Sequence, residues 1–257
     1  RIFVDSLDTT VDHIGELNVK VGVMQPYLFP YLGYFQLMSY VDIWVFFDDI
    51  QFEKKGWVSR NRISHPNKSN DFQYLLSPLK KSYLKKINEI AIDQKPIDLK
   101  KNFLGKISAF KKKAVGYDVV RSLITNIFDH NYSENFLLSE LLYKSLIETK
   151  KVLGIETKIL LQDDINFNRN LIESSGDWAF EIARTLKADE YVNPENGAFL
   201  FSRNKFDAAG IKLSFLSPSI NMYPMHQHKM LSLSIIDVLL WNDLDWVMKQ
   251  INMCDVK

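Results

Sequence analysis

The sequence predicts an α/β protein, a Rossmann-like three-layer sandwich with a mostly parallel sheet and a helical insertion. Short apolar runs that end at proline or glycine alternate with segments of helical periodicity along most of the 257 residues, which is the pattern of βαβ units. Three consecutive helical segments interrupt this alternation near the middle of the chain. A composition of 46% hydrophobic and 25% charged residues is typical of a globular protein with a full core.

The first βαβ unit covers residues 19–47. Val19–Met24 is a short apolar run that predicts a buried strand, and Pro26 ends it because proline has no amide hydrogen for a sheet ladder. Tyr34–Tyr40 is predicted to be a helix, and the apolar run Ile43–Phe47 predicts the second strand.

Polar and aromatic residues follow the carboxyl ends of these two predicted strands. Ligand crevices in open α/β sheets lie beyond those ends, so we expect five of these residues to surround one crevice. They are Gln25, Tyr27, Asp48, Asp49 and Gln51. Because consecutive strand residues point to opposite faces, we expect one of the two aspartates to be the catalytic group.

Two arginines stand at alternate positions in the segment that follows. In an extended chain Arg60 and Arg62 share a face, and two guanidinium groups beside a crevice suit a phosphate or a carboxylate. A structural ion network with the nearby acids is the alternative. Further candidate substrate contacts are Tyr34, Trp57, Asn61 and, after a later strand, Asn193.

The middle of the chain changes from strands to helices. Phe72–Leu76 and Ile87–Ile92 predict two more short strands. Three amphipathic helices follow, and Gly116 is expected to close the first of them in a left-handed conformation. The predicted helices are Ile97–Val115, Tyr117–Phe128 and Asn135–Leu153.

The α/β alternation returns after these helices. Strands are predicted at Glu156–Leu161, Glu190–Val192 and Ile211–Leu216, and helices at Gly176–Leu186, Phe201–Ala209, Leu231–Trp241 and Leu244–Ile251. We therefore divide the chain into an N-terminal extension (1–18), a first part of the core (19–95), the helical insertion (96–154) and a second part of the core with closing helices (155–257).

The charge and the cysteine count narrow the choice of partners and compartment. A net charge of +1 does not give the chain the positive electrostatic field that would attract bulk nucleic acid. Residues 78–116 are nevertheless rich in lysine. These lysines indicate either a solvated helix face or a site for the phosphates of a nucleotide or lipid-linked sugar. Cys254 is the single cysteine, and no apolar run is long enough to span a bilayer. We therefore predict a cytoplasmic protein without a membrane span, and the sequence does not indicate its oligomeric state.

Sequence motifs argue against several enzyme classes. The chain has no P-loop, no G-x-G-x-x-G, no H-E-x-x-H and no G-x-S-x-G. His226 and His228 would share a face on a strand, as some zinc and iron sites require. No Asp, Glu or Cys lies close to them in sequence, so we predict no metal site.

Three motifs carry a resemblance to a known family. MQPYLFPYLGYF (24–35), FFDDIQF (46–52) and GWVSRNRI (56–63) resemble the opening of the WbqC-like family, which is found beside bacterial surface-polysaccharide (O-antigen) genes. LKADEYVNPENG (186–197) continues the likeness, which runs from about Lys20 to Trp241. The resemblance implies a role in surface-glycan or nucleotide-sugar metabolism.

The first unit is also similar in layout to the nucleotide-binding turn of HIGH-motif ligases, the pantoate–amino acid ligases in particular. That similarity implies a HUP-like variant of the fold, with ATP or an acyl donor as the cofactor. The chain departs from the ligase pattern because Tyr31 and Tyr34 stand about where the two histidines would be.

Together these observations predict an enzyme of O-antigen or lipopolysaccharide biosynthesis that modifies a nucleotide-linked sugar by acyl or aminoacyl transfer, as a transferase or an amide-forming ligase. Asp48 or Asp49 would accept the proton, Arg60 and Arg62 would hold the diphosphate, and Gln25 and Asn193 would orient the substrate. The alternatives are a non-catalytic binding or scaffold protein of the same pathway, and a metal-dependent transferase or hydrolase that uses His226 and His228.

Overall fold

The structure, a computed structural model, describes residues 18–67, 71–219 and 233–257. Most of its strands belong to one central sheet, and two of them form a separate hairpin. The strands are β1 (Lys20–Met24), β2 (Ile43–Phe46), β3 (Arg60–Ser64), β4 (Phe72–Leu76), β5 (Lys158–Leu161), β6 (Glu190–Pro194), β7 (Lys212–Pro218) and β8 (Cys254–Val256).

The central sheet has six strands in the order β5-β2-β1-β6-β7-β8. Its first five strands are parallel, and β8 runs antiparallel to β7. In the sheet, β2 and β5 lie on one side of β1, and the later strands β6, β7 and β8 lie on its other side. The order therefore reverses between β1 and β6, and this switch point is where open α/β sheets bind ligands.

Helices cover both faces of the sheet. They are α1 (Leu32–Tyr40), α2 (Pro96–Ser108), α3 (Tyr117–Phe128), α4 (Leu138–Val152), α5 (Ser175–Thr185), α6 (Arg203–Ala208), α7 (Ile235–Trp241) and α8 (Leu244–Ile251). Trp44 and Phe46 of β2 join the core cluster that contains residues of α1, α2, α3, α4, α7 and α8, while Val45 between them joins the cluster with α5 and α6. This alternation produces three layers, and it confirms the predicted Rossmann-like α/β sandwich with a mostly parallel sheet.

The β3–β4 hairpin and the helices α2, α3 and α4 lie between β2 and β5 in sequence. One face of the hairpin is buried through Ile63 and Leu75, and the opposite face exposes Tyr74 and Leu76. Within the described ranges, no helix has the length and hydropathy needed to cross a membrane.

Several boundaries differ from the prediction. Ile87–Ile92 is not a strand; it contains the 3₁₀ turn Ile87–Glu89 and makes isolated bridges. Helix α2 ends at Ser108, well before the predicted Val115. The strand β8 was not predicted, because a three-residue strand at the end of the chain lacks a clear alternation of polar and apolar residues.

Gly116 was expected to close a helix in the left-handed region, and that expectation is wrong. Its φ is −91°, and it is the N-cap of α3. A Cβ at this position would lie 1.8 Å from the carbonyl oxygen of Leu239 in α7. The glycine is therefore required by a close approach between two helices.

Candidate functional site

A cleft of about 930 Å³ opens at the carboxyl ends of β1, β6 and β7. Gln25 lies just beyond β1, Asn193 lies near the end of β6, and Pro218 is the last residue of β7; all three line the cleft. We call this the switch-point cleft. Its volume is within the range of pockets that bind small molecules and cofactors.

The β1 side of the switch-point cleft carries an amide and phenols. Gln25 Nε2 donates a hydrogen bond to the Tyr27 hydroxyl over 2.9 Å, and the Tyr34 hydroxyl donates to the Gln25 carbonyl over 3.3 Å. Burial raises the pKa of Tyr27, although the hydrogen bond from Gln25 acts in the opposite direction, and burial raises the pKa of Tyr34 still further. These phenols are therefore neutral at physiological pH. Tyr27 faces the cleft, whereas Tyr34 is fully buried behind it.

The turn after β1 is held from two sides. Asn61 of β3 donates through Nδ2 to the carbonyl oxygens of Leu28 and Phe29, at 3.1 and 2.8 Å. The Ser234 hydroxyl donates to the same Phe29 carbonyl over 2.9 Å. Phe29 has a φ of 47°, which is unfavourable for a side chain of this size. These bonds therefore fix the turn, and Asn61 lines the cleft with its amide nitrogen already used.

The β6 side presents Asn193 and the 3₁₀ segment Glu195–Leu200. The Asn193 side chain accepts a hydrogen bond from the Tyr191 hydroxyl at 3.1 Å and donates to the Pro194 carbonyl at 3.0 Å. A Cβ on Gly197 would lie 2.4 Å from Asn193 Nδ2. The glycine therefore leaves room for the Asn193 amide at the wall of the cleft.

Two tryptophans contribute aromatic faces to the cleft, and each has an arginine beside it. The Arg62 guanidinium lies 4.8 Å from the Trp57 ring centre, and that of Arg169 lies 5.8 Å from the Trp178 ring. Phe199, which also lines the cleft, is 84% exposed. Exposed rings such as those of Trp57 and Phe199 suit stacking against a sugar or a base.

The electrostatics of the switch-point cleft depend on one carboxylate. Among the described residues that line it, Glu195 is the only charged side chain, and it accepts a hydrogen bond from the Ser217 hydroxyl. The other polar lining groups are uncharged amides, phenols and hydroxyls. The cleft therefore offers hydrogen bonds and aromatic rings together with a single carboxylate.

Asp48 and Asp49 are not brought to the switch-point cleft. Asp48 is buried and accepts a hydrogen bond from the Ser139 hydroxyl of α4. Asp49 binds Lys86 and Arg169, each at 2.6 Å. Burial alone would raise the pKa of Asp49, but the hydrogen bonds and charges of Lys86 and Arg169 hold that pKa below its usual value.

Gln51 is also absent from the cleft lining. It is exposed, and its backbone forms an isolated antiparallel bridge with Lys86. Asp48, Asp49 and Gln51 were expected to share a crevice with Gln25, and the structure does not place them there. Asp48 contacts α4, whereas Asp49 and Gln51 contact Lys86 in the loop that follows β4.

Arg60 and Arg62 share the outer face of the β3–β4 hairpin, as the alternation predicts, and neither lines the cleft. The Arg60 guanidinium donates to the Lys55 carbonyl at 3.1 Å and lies 5.3 Å from the Tyr74 ring. Arg62 lies between the rings of Trp57 and Phe72. His226 and His228 fall outside the described residues.

Sequence reasoning did not select Trp178, Glu195 or Phe199, which all line the cleft. Trp178 shares one face of its helix with Ile182 and Ala183, and this apolar spacing gives no signal for a ligand site. Glu195 and Phe199 come directly after β6, and the rule that sites lie beyond strand ends could have selected them together with Asn193.

Comparisons with known proteins agree with the family resemblance. Residues 25–248 match the model of the family described as the WbqC-like protein family. An uncharacterized protein of Mycobacterium tuberculosis, Rv1507c, is 24% identical over 199 residues, which cover 76% of this chain and 81% of that protein. No solved structure gives a significant match. The span matched by the family model, residues 25–248, includes every residue named above as lining the cleft.

Proposed function

The chain belongs to the WbqC-like protein family, and we propose that it is an enzyme of bacterial surface-glycan (O-antigen) biosynthesis. In this proposal it binds a nucleotide-linked sugar in the switch-point cleft and transfers an acyl or aminoacyl group to an amino or hydroxyl group of that sugar. The family resemblance supports the metabolic setting, and the cleft supports the class of ligand.

The observation that carries the proposal is the combination of ring faces and uncharged amides at the switch point. Trp57 and Trp178 offer planar surfaces, and Gln25 and Asn193 offer amide groups. Sugars and nucleosides present flat faces and many hydroxyl groups, so they are recognised by stacking and by neutral hydrogen bonds. A cleft of 930 Å³ has room for both parts of a nucleotide-linked sugar.

In the proposed complex, the diphosphate of the bound ligand extends out of the cleft beside Trp57. The Arg62 guanidinium lies 4.8 Å from the Trp57 ring centre on the outer face of the hairpin, and Arg60 follows on the same face. Guanidinium groups bind phosphate oxygens through paired hydrogen bonds. In the proposal these arginines therefore contact the diphosphate at the rim of the cleft.

Glu195 is the group we assign as the proton acceptor. In the reaction the amino or hydroxyl group attacks the carbonyl carbon of an activated acyl donor, and a carbon–nitrogen or carbon–oxygen bond forms. The bond to the leaving group of the donor breaks, the leaving group keeps the electron pair, and the Glu195 carboxylate takes the proton. An ATP-activated carboxylic acid is the donor class that the ligase-like layout suggests.

A binding protein without catalytic activity is the second candidate. The observation that favours it is the single carboxylate among the described lining residues, Glu195, which is itself exposed. A site with one carboxylate and otherwise neutral groups is poor in acid–base chemistry but sufficient for recognition. This candidate predicts the same ligand without turnover.

Isothermal titration calorimetry with UDP-N-acetylglucosamine, GDP-mannose and UDP tests the binding step. We expect saturable binding of a nucleotide-linked sugar, weakened about threefold to tenfold by Asn193→Ala through the loss of a neutral hydrogen bond. The matched control is Asn204→Ala, an exposed position on α6, which should leave the dissociation constant unchanged. Absence of binding for all nucleotide-linked sugars would refute the proposal.

Turnover separates the two candidates. Mass spectrometry of the sugar after incubation with ATP and a carboxylic acid, or with an acyl thioester, should detect the added acyl mass. Glu195→Gln should abolish this product and retain binding of the sugar. Binding with no acylated product from either donor class would favour the non-catalytic protein.

A further inference from the structure

The loop between β4 and the Ile87–Glu89 turn exposes two large apolar side chains at its tip. Tyr83 is 81% exposed and Leu84 is 67% exposed. Within the described ranges, neither side chain is packed into the core as the buried leucines and tyrosines are. Adjacent exposed apolar groups at a loop tip can belong to an interaction site.

The backbone of this loop holds both side chains outward. Lys85 N–H donates to the Ser82 carbonyl at 3.4 Å, which closes a four-residue turn with Tyr83 and Leu84 at its centre. Leu84 has a φ of 57°, in the left-handed region that glycine or asparagine ordinarily fills at this turn position. A leucine here lowers the stability of the turn and stays mostly exposed, which is the kind of strained position that can mark a functional segment.

Lysines flank the exposed tip in sequence. Lys80, Lys81 and Lys85 flank it on the same loop and are exposed, and no salt bridge engages them among the described residues. The neighbouring loop is tied to this one, because Phe52 N–H donates to the Lys85 carbonyl at 2.9 Å. That loop carries the exposed Lys54 and Lys55 next to one exposed carboxylate, Glu53.

We propose that this loop, Lys80–Lys86, docks the protein on an anionic lipid bilayer. Tyr83 and Leu84 would enter the interface between headgroups and acyl chains, and the lysines would pair with lipid phosphates around them. An apolar tip flanked by basic side chains has the chemistry of an interfacial anchor, since the apolar part is stabilised by leaving water and the cations are attracted by the negative surface. A purely electrostatic partner would not require the apolar tip. The proposal does not depend on the function assigned to the switch-point cleft.

Co-sedimentation with vesicles tests this proposal. The full chain should bind vesicles of phosphatidylcholine with phosphatidylglycerol and not vesicles of phosphatidylcholine alone, and binding should fall as salt is raised because the attraction is screened. Lys81→Gln with Lys85→Gln should weaken binding about 25-fold, at roughly fivefold for each lysine. Lys158→Gln with Lys249→Gln, two exposed lysines elsewhere, removes the same charge and should have no such effect.

Leu84→Gly separates a docking role from a structural one. Glycine relieves the left-handed backbone, so the melting temperature should stay the same or rise while vesicle binding falls. Lys187 is also exposed with a positive φ of 53°, and Lys187→Gly is the matched control that should leave vesicle binding intact. Failure of the unmodified chain to bind phosphatidylglycerol vesicles, equal binding to both vesicle types, or normal binding by the loop variants would each overturn the proposal.

Discussion

The carboxylates of Asp48 and Asp49, neighbours in the chain, bind partners in different parts of the fold. Asp48 accepts a hydrogen bond from Ser139 in α4. Asp49 binds Lys86, in the loop that follows β4, and Arg169, which follows β5. The aspartate pair therefore connects the end of β2 to a helix and to two loops, and this connection has consequences for stability.

Asp49→Asn should lower the free energy of unfolding by about 1 to 2 kcal/mol at pH 7. Asp49 is buried while its two cationic partners are about half exposed, so solvent screening keeps the loss below that of a fully buried pair. Urea denaturation measures the change, and Asp164→Asn, an exposed aspartate on a 3₁₀ turn, is the control. Equal stability of Asp49→Asn and the unmodified chain would show that the ion cluster contributes nothing to the fold.

Asn61 supports a second prediction, which concerns the turn after β1. Asn61→Ala leaves the buried carbonyls of Leu28 and Phe29 without their amide donor, so we expect a loss of about 1 to 3 kcal/mol of unfolding free energy. Asn61→Asp should cost more, because a carboxylate would face two carbonyl oxygens. Guanidinium denaturation of both variants, with Asn204→Ala as the surface control, checks the order. If Asn61→Asp were more stable than Asn61→Ala, that result would contradict the hydrogen bonds assigned to the Asn61 amide.

Local patterns predicted the elements whose burial repeats with a regular period. Tyr117–Phe128 and Leu244–Ile251 were predicted to the residue, because each carries an apolar stripe at helical spacing. Ile87–Ile92 has the composition of a strand, but β-propensity needs a neighbouring strand to pair with. The backbone of this segment forms isolated bridges, and its isoleucines pack into the core although the segment is not part of a sheet.

The location of the candidate site was predictable in part for a similar reason. The rule for strand ends placed Gln25 and Asn193 at the cleft, because β1 and β6 are adjacent at the switch point. The path of the chain after β2 was not predictable, since it depends on Ser139 and Arg169, which are far away in sequence. The adjacency of β1 and β6 is likewise set by tertiary packing and not by any local motif.

A pair of glycines in the helical segment supports a third prediction. Gly105 lies on the exposed side of α2, and a Cβ there would meet no atom within 4 Å. Gly105→Ala should raise the free energy of unfolding by about 0.5 to 1 kcal/mol, because alanine is the better helix former. Gly116→Ala should lower it by about 1 to 3 kcal/mol or more, since the Cβ would collide with the Leu239 carbonyl. Thermal and urea unfolding of both variants measures the two signs, and equal signs would contradict the close approach of α3 and α7.

The last prediction concerns acid stability at the start of α5. Asp177 forms an ion pair with Lys205, and the Asp177 carboxylate also accepts hydrogen bonds from the backbone amides of Glu173 and Ser174. The hydrogen bond from Lys205 lowers the pKa of Asp177 most, burial opposes it, and the amides add to the lowering, which brings the pKa from 3.8 to about 2.

A carboxyl group with a lowered folded-state pKa stabilises the fold above its unfolded pKa, and this contribution disappears as the pH falls through the folded value. This lowering corresponds to at most roughly 2 kcal/mol at pH 7, and solvent screening at the partly exposed Lys205 reduces the contribution to about 1 to 2 kcal/mol. Asp177→Asn should therefore be less stable than the unmodified chain by about that amount at pH 7, and the difference should shrink between about pH 5 and pH 2.

Urea denaturation at pH 7, 4 and 2.5 measures this pH dependence, and Asp207→Asn, an exposed position on α6, should change the unfolding free energy by less than about 0.5 kcal/mol. A constant difference between Asp177→Asn and the unmodified chain at all three pH values would show that the carboxylate charge is not what stabilises the start of α5. Because Ser175 and Trp178 line the switch-point cleft from this helix, the same loss of stability in acid should weaken ligand binding before the whole chain unfolds.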